Sequence, residues 1–214
     1  MGTPPMREHD HQPASAAPVS DESLVEQYRG GRAAAFEQLL NRHKQELYNF
    51  LARFVGDRVA AEDVFQETFI QVHNSAGSFD TDRRFKPWLF TIAANKGRDY
   101  LRRRARRPAA EMHAPLSKDG SKDQSFIDLM SLDLPGPHER LETEETRGRV
   151  RAAIKALPDN LREVLLLVYF QQLSYEEAAQ TLEIPLGTVK SRLHTAVGVF
   201  AKKWQEMNPD TERT

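Results

Sequence analysis

The segment Leu173–Phe200, LSYEEAAQTLEIPLGTVKSRLHTAVGVF, constrains the chain most: it spells two helices around a tight turn. Ser174 with Glu177 has the form of a capping box, in which serine and glutamate each satisfy a free backbone N–H. Ala178, Ala179 and Leu182 follow at helical spacing. Pro185 cannot continue that helix, and Leu186-Gly187-Thr188 restarts one. In the second helix Val189, Leu193, Ala196, Val197 and Phe200 form a single apolar stripe, expected to be buried. The opposite face carries Thr188, Ser191 and Thr195, flanked by Lys190, Arg192 and His194. Short hydrogen-bonding side chains with cations at a helix start suit the DNA major groove. An ordinary helical hairpin with a solvated face is the plainer reading. The turn and the polar face favour DNA.

The chain as a whole is not basic: 30 Lys and Arg stand against 31 Asp and Glu, a net charge of −1. A nucleic-acid surface must therefore come from local clustering of charge. No cysteine is present, which excludes disulfides and thiolate metal sites and fits a reducing cytoplasm. The longest unbroken apolar run, Val164 to Phe170, is far short of the roughly 20 residues that span a bilayer. The N-terminus lacks the apolar core of a signal peptide. A cytoplasmic protein with no membrane insertion of its own is expected. The length of 214 residues suits one or two domains.

Residues 1–20, rich in Pro, Ala, Ser and His, read as a disordered extension. Glu8-His9-Asp10-His11 within them lacks the geometry and second shell of a metal site, so no metal and no cofactor are expected. Asp21 to Tyr28 reads as a short helix ending at Gly30-Gly31. A longer one carries Phe36, Leu39, Leu40, Leu47, Phe50, Leu51 and Phe54, and Gly56-Asp57 breaks it. The next helix, about Val59 to His73, has Ala61, Val64, Phe65, Thr68, Phe69 and Val72 on one side. Asp63, Gln66, Glu67 and Ile70 share the other. An isoleucine among acids suits docking on a basic protein partner. It is also compatible with a solvated acidic face holding a stray apolar residue. No histidine or nucleophile accompanies the carboxylates, so no catalytic site is expected.

Residues 74–86 read as a loop, in which Phe79 either plugs the core or stacks on an unpaired base. Pro87 opens a helix running to about Arg107, with Phe85, Trp88, Leu89, Ile92, Ala93 and Tyr100 inward. Its end holds Arg98, Arg102, Arg103, Arg104, Arg106 and Arg107, opposed only by Asp99. Six arginines in ten residues exceed what a helix C-terminus alone rewards, which points to phosphate. Residues 108–138 turn acidic and lose periodicity, and read as a flexible linker with a reach of roughly 30 Å. A second helical unit follows over 139–204. Val150, Ile154 and Leu157 point inward on its first helix, and Leu161, Val164, Leu165 and Val168 on the next. Residues 205–214 form a polar tail. The expected fold is all-α: two small helical domains, 21–107 and 139–204, joined by a flexible linker, the second containing the helix-turn-helix.

These motifs carry a resemblance. Leu157-Pro158, Arg162-Glu163-Val164, Leu173 to Ala179 and Ile184 to Leu193 resemble the promoter-binding C-terminal domain of extracytoplasmic-function sigma factors. Glu62 to Phe69 and Phe85 to Asn95 resemble the N-terminal domain of the same family. The resemblance implies a subunit that binds core RNA polymerase and directs initiation at promoters with two elements. It implies that Asp63, Gln66 and Glu67, with Ile70 beside them, dock on the clamp helices of the largest polymerase subunit. It puts Phe79 and Asn95 around a flipped-out base of the −10 non-template strand, with the cluster that begins at Arg98 and Arg102 on nearby phosphates. Lys190, Ser191, His194 and Thr195 would enter the −35 major groove on the face that Thr188 and Arg192 share. Tyr175, Glu176 and Arg162 would support that helix or touch the DNA backbone. Family analogy adds an anti-sigma protein as inhibitor. Thr195 departs from the family, which often has arginine there. A stand-alone helix-turn-helix regulator is the alternative, and it would bind duplex without polymerase.

Overall fold

The computed structural model describes residues 19–106 and 144–208, and every regular element among them is helical. The expected extension, linker and tail lie largely outside these residues. The first group comprises α1 (Asp21–Arg29), α2 (Ala33–Val55), α3 (Arg58–Ser75) and α4 (Phe85–Arg106). The second comprises α5 (Glu144–Lys155), α6 (Asp159–Leu165, running on as a widened turn over Leu166–Phe170), α7 (Tyr175–Leu182) and α8 (Leu186–Met207).

Local chemistry sets these boundaries. Ser20 caps α1, its hydroxyl accepting from Ser23 N at 3.2 Å. Gly56 ends α2 in the left-handed conformation, φ 76°, where its N–H donates to Ala52 O. Asp57 then caps α3 by accepting from Ala60 N at 2.9 Å. Glu22 of α1 accepts the amide of Phe85 at 2.9 Å and so fastens the start of α4 to the other end of the group. The loop before α4 is shorter than its composition suggests, because α3 runs to Ser75 and a 3-10 turn takes Ala76–Ser78.

The first group packs through aromatic rings. Phe50 lies 5.6 Å from Phe54 and stands edge-on to Phe90 at 5.3 Å. Gly97 lets α4 approach α2: a Cβ there would meet the Phe54 ring at 2.7 Å. The α3 stripe of Ala61, Val64, Phe65, Thr68, Phe69 and Val72 is buried throughout, and the Thr68 hydroxyl donates to Val64 O at 2.7 Å.

In the second group α8 packs on α5, α6 and α7. Val189, Leu193 and Ala196 are buried as their spacing predicts, Phe200 is half-buried, but Val197 is 41% exposed. The stripe reads one residue too wide there.

The two groups are not held apart. α4 packs along α7, and the end of α2 meets α5, α6 and the turn after it. One buried apolar cluster runs through both.

Candidate nucleic-acid and polymerase interface

The helix-turn-helix forms as its punctuation dictates. The Ser174–Glu177 capping box is complete, with Glu177 N donating to the serine hydroxyl at 3.1 Å and Ser174 N to the glutamate at 2.8 Å. Glu183 ends α7 in the left-handed conformation, φ 55°, and Pro185 precedes α8. Lys190, Ser191, His194 and Thr195 are exposed along one face of α8, with Thr188 half-buried at its start. The Ser191 hydroxyl donates to Thr188 O at 3.1 Å and that of Thr195 to Ser191 O at 3.0 Å. Both oxygens keep acceptor capacity toward a base edge. Tyr175 and Glu176 are exposed at the start of α7.

Arg192 points elsewhere. It lies half-buried with its guanidinium 3.9 Å from a carboxylate oxygen of Glu163. The other Glu163 oxygen lies 3.8 Å from Arg98 of α4. Glu163 is thus held between one arginine from each group, and both arginines are ones the sequence assigns to DNA. Burial pushes its carboxyl up from the ordinary glutamate value; Arg98, Arg192 and Arg102 pull it down, and Asp159 raises it further. One of its buried oxygens accepts no hydrogen bond.

Arg162 was expected to support α8 or touch DNA backbone. It is only 7% exposed and is spent on carbonyls. Its guanidinium donates to Ile154 O, Lys155 O and Leu157 O at the end of α5, and across the junction to Phe54 O of α2 at 2.8 Å. Sequence reasoning missed that role and the one Glu163 plays.

On α4, Asn95 is exposed and its side-chain oxygen accepts from Arg98. Arg102 is exposed and pairs with Asp99 at 3.3 Å. Arg103, Arg104 and Arg106 continue the exposed cationic end. Phe79 requires a correction. Its ring is 4% exposed, 4.7 Å from Trp88 and edge-on to Phe85 at 5.9 Å. The core-plug reading describes it, because the ring completes an aromatic cluster under the start of α4. It offers no open face to a base here.

On α3, Asp63 and Gln66 are exposed and Ile70 is 61% exposed among them. Glu67 sits half-buried beside them and faces Lys96 at 3.9 Å and Arg103 at 3.7 Å of α4. The acidic face therefore borders the basic end of α4. No group of His, Cys, Asp and Glu among the described residues could hold a metal. No described helix is long and apolar enough to cross a membrane.

Comparison with known proteins agrees with this layout. The family pattern described as Sigma-70 region 2 matches residues 39–107, and Sigma-70, region 4 matches 147–197. The RNA polymerase sigma-H factor of Pseudomonas aeruginosa is 34% identical over 189 residues, which cover 87% of this chain and 95% of that one. The ECF RNA polymerase sigma-E factor of Haemophilus influenzae is 33% identical over 192 residues, covering 90% and 99%. Among solved structures, CnrH in complex with the cytosolic domain of CnrY superposes with a TM-score of 0.61 at 27% identity, covering 89% of this chain and 99% of that one. Two helical units in the order region 2 then region 4, matched along nearly the whole length of such relatives, settle the family: the chain belongs to the extracytoplasmic-function sigma factors of the sigma-70 family.

Proposed function

We propose that the chain binds core RNA polymerase through the exposed face of α3 and directs promoter-specific initiation through α4 and α8. Asp63 and Gln66 supply charge and hydrogen bonding on that face, Ile70 supplies apolar contact, and Glu67 lies at its edge. Asn95 offers an amide to an extruded −10 base, and Arg98, Arg102 and the arginines after them hold the neighbouring phosphates. Extrusion costs a few kcal/mol per unstacked base, which such contacts offset. Lys190, Ser191, His194 and Thr195 read the −35 duplex from the major groove. Phe79 contributes by propping Trp88 and the start of α4.

The observation that carries this reading is the order of the two matched regions together with the solvent-facing polar surface of α8. An inhibitory partner polypeptide is part of the proposal by family analogy; the similar CnrH was solved in complex with the cytosolic domain of CnrY.

The test is transcription in vitro with purified bacterial core polymerase on a library of upstream sequences. Promoter-dependent transcripts are expected, with loss of polymerase binding in Asp63→Arg. Tight duplex binding with no polymerase complex would instead establish a stand-alone regulator. Asn95→Ala is expected to weaken promoter melting more than polymerase binding.

A further inference from the structure

The ends of α2, α4 and α5 and the start of α6 meet around a cleft of about 290 Å3. Val55, Leu101 and Ala105 form its apolar wall. Arg104, Lys155 and Arg162 form its polar side, with Asp159 as the single carboxylate. The Lys155 alkyl chain runs past Gly56, where a Cβ would sit 3.7 Å from Lys155 Cε. Arg104 and Lys155 are exposed and form no ion pair among the described residues. Arg162 is buried, and four of its five N–H donors go to carbonyls. The fifth, on Nη1, has no acceptor among the described residues. Asp159 lies 3.3 Å from Arg162 Nη2, and its side chain is 57% exposed. Three cations against one carboxylate leave the cleft a net charge of +2. Walls of low dielectric focus that field on the opening.

We propose that this cleft binds a small molecule carrying one phosphoryl group. A phosphate monoester bears about −1.5 to −2 at neutral pH, which matches the charge of the cleft. Its free oxygens accept from the Arg104 guanidinium, the Lys155 ammonium and the remaining Arg162 N–H. The rest of the molecule, a single ring or a short apolar chain, lies on Val55, Leu101 and Ala105. Volume limits that part: ligand clefts start at roughly 300 Å3, so one ring fits and a dinucleotide does not. A backbone phosphate of DNA shares the chemistry but brings one charge instead of two, and its chain must leave the cleft on both sides. Occupancy takes Arg104 from the cationic end of α4. That effect on −10 phosphates rests on the promoter-reading function proposed above, whereas the site itself does not.

The probe is phenyl phosphate, titrated into the full chain at constant ionic strength and followed by amide NMR shifts. Saturable shifts centred on Val55, Gly56 and Leu101 are expected. Inorganic phosphate should bind the same place at least fivefold more weakly, because it leaves the apolar wall uncovered. Lys155→Ala should weaken phenyl phosphate about tenfold, the loss of one charge-assisted hydrogen bond. Ala105→Glu, also at an exposed position, sets a second carboxylate in the cleft and should abolish binding. Shifts that never saturate, that are matched by chloride, or that survive in both variants overturn the proposal. If circular dichroism shows one variant unfolded, the other decides. A single-stranded oligonucleotide with a 5′-hydroxyl carries diesters only, and should shift amides near Arg102 and Arg103 but not Val55 and Gly56. If it shifts those two and phenyl phosphate does not, the cleft belongs to the path of DNA and the small-molecule site is refuted. These titrations contain no polymerase, so a chain that yields no transcript would sink the promoter function and leave their result standing.

Discussion

Replacing Arg162 tests whether one buried guanidinium joins the two groups. It is 7% exposed and donates to four backbone carbonyls, at 3.2 Å to Ile154, 2.8 Å to Phe54, 2.9 Å to Lys155 and 2.7 Å to Leu157. Burial lowers its pKa and Asp159 at 3.3 Å pushes back, yet a guanidinium stays charged across the working pH range. Arg162→Met removes every one of these donors. Each buried carbonyl left without a partner costs about 1–3 kcal/mol. Relief of the desolvated charge returns part of that sum, so the net loss should be about 3–5 kcal/mol, the range for breaking a buried ionic group. Arg162→Lys keeps the charge but concentrates three donors on one nitrogen, which cannot reach carbonyls on two helices in the way the planar fork does. It should lose about 2 kcal/mol. Urea unfolding at constant m-value measures both. A loss under about 1 kcal/mol for Arg162→Met would refute the capping role, since that is the cost of a single ordinary hydrogen bond.

Three further outcomes follow from particular contacts. Gly97→Ala gains about 1 kcal/mol of helix propensity, but its Cβ would lie 2.7 Å from the fully buried Phe54 ring. Overpacking of about 1–3 kcal/mol should win, giving a lower denaturation midpoint. Lys190→Ala should weaken binding to every −35 duplex and reduce the log–log salt slope by about one, which titrations at several salt concentrations will read. The raised pKa of Glu163 means that the folded chain holds this proton more tightly than the unfolded one. Its contribution to stability is therefore full below the ordinary glutamate value and is lost as pH rises through the elevated one. Glu163→Gln should remove that fall from the stability–pH curve and leave the neutral-pH midpoint at or above wild type; a neutral-pH midpoint below wild type would mean that Arg98, Arg102 and Arg192 outweigh burial.

Most elements were legible because helices announce their own ends. Ser174 with Glu177, Gly56 with Asp57, and Pro185 all mark boundaries through backbone chemistry confined to a few neighbouring residues. The apolar stripe of α3 was legible for the same reason: a period of 3.6 is a local property. Val197 and Phe79 were not. A stripe fixes a direction, but how far around it burial extends depends on the partner helices, and those leave Val197 uncovered. A lone aromatic in a polar loop fits either core or surface until the positions of Phe85 and Trp88 are known.

Arg162 and Glu163 show where periodicity stops being informative. The carbonyl of Phe54 lies 108 residues before the guanidinium that caps it, a relation no spacing rule contains. Yet the chain does carry a signal. Leu161 to Leu167 is apolar except for this Arg–Glu pair, and the stretch sits between a proline-started helix and an unbroken run of large side chains. A helix with apolar residues on one face has its charges in water. A helix with apolar residues on nearly every face must be covered all round, and its charges must then find partners inside the protein. The second group has one long helix, α8, to cover α6, and the remaining cover has to come from outside that group. The composition of α6 therefore already implies a neighbour beyond its own domain. The structure supplies that neighbour as α2, with Arg162 and Glu163 each spending charge on the first group as well as on their own.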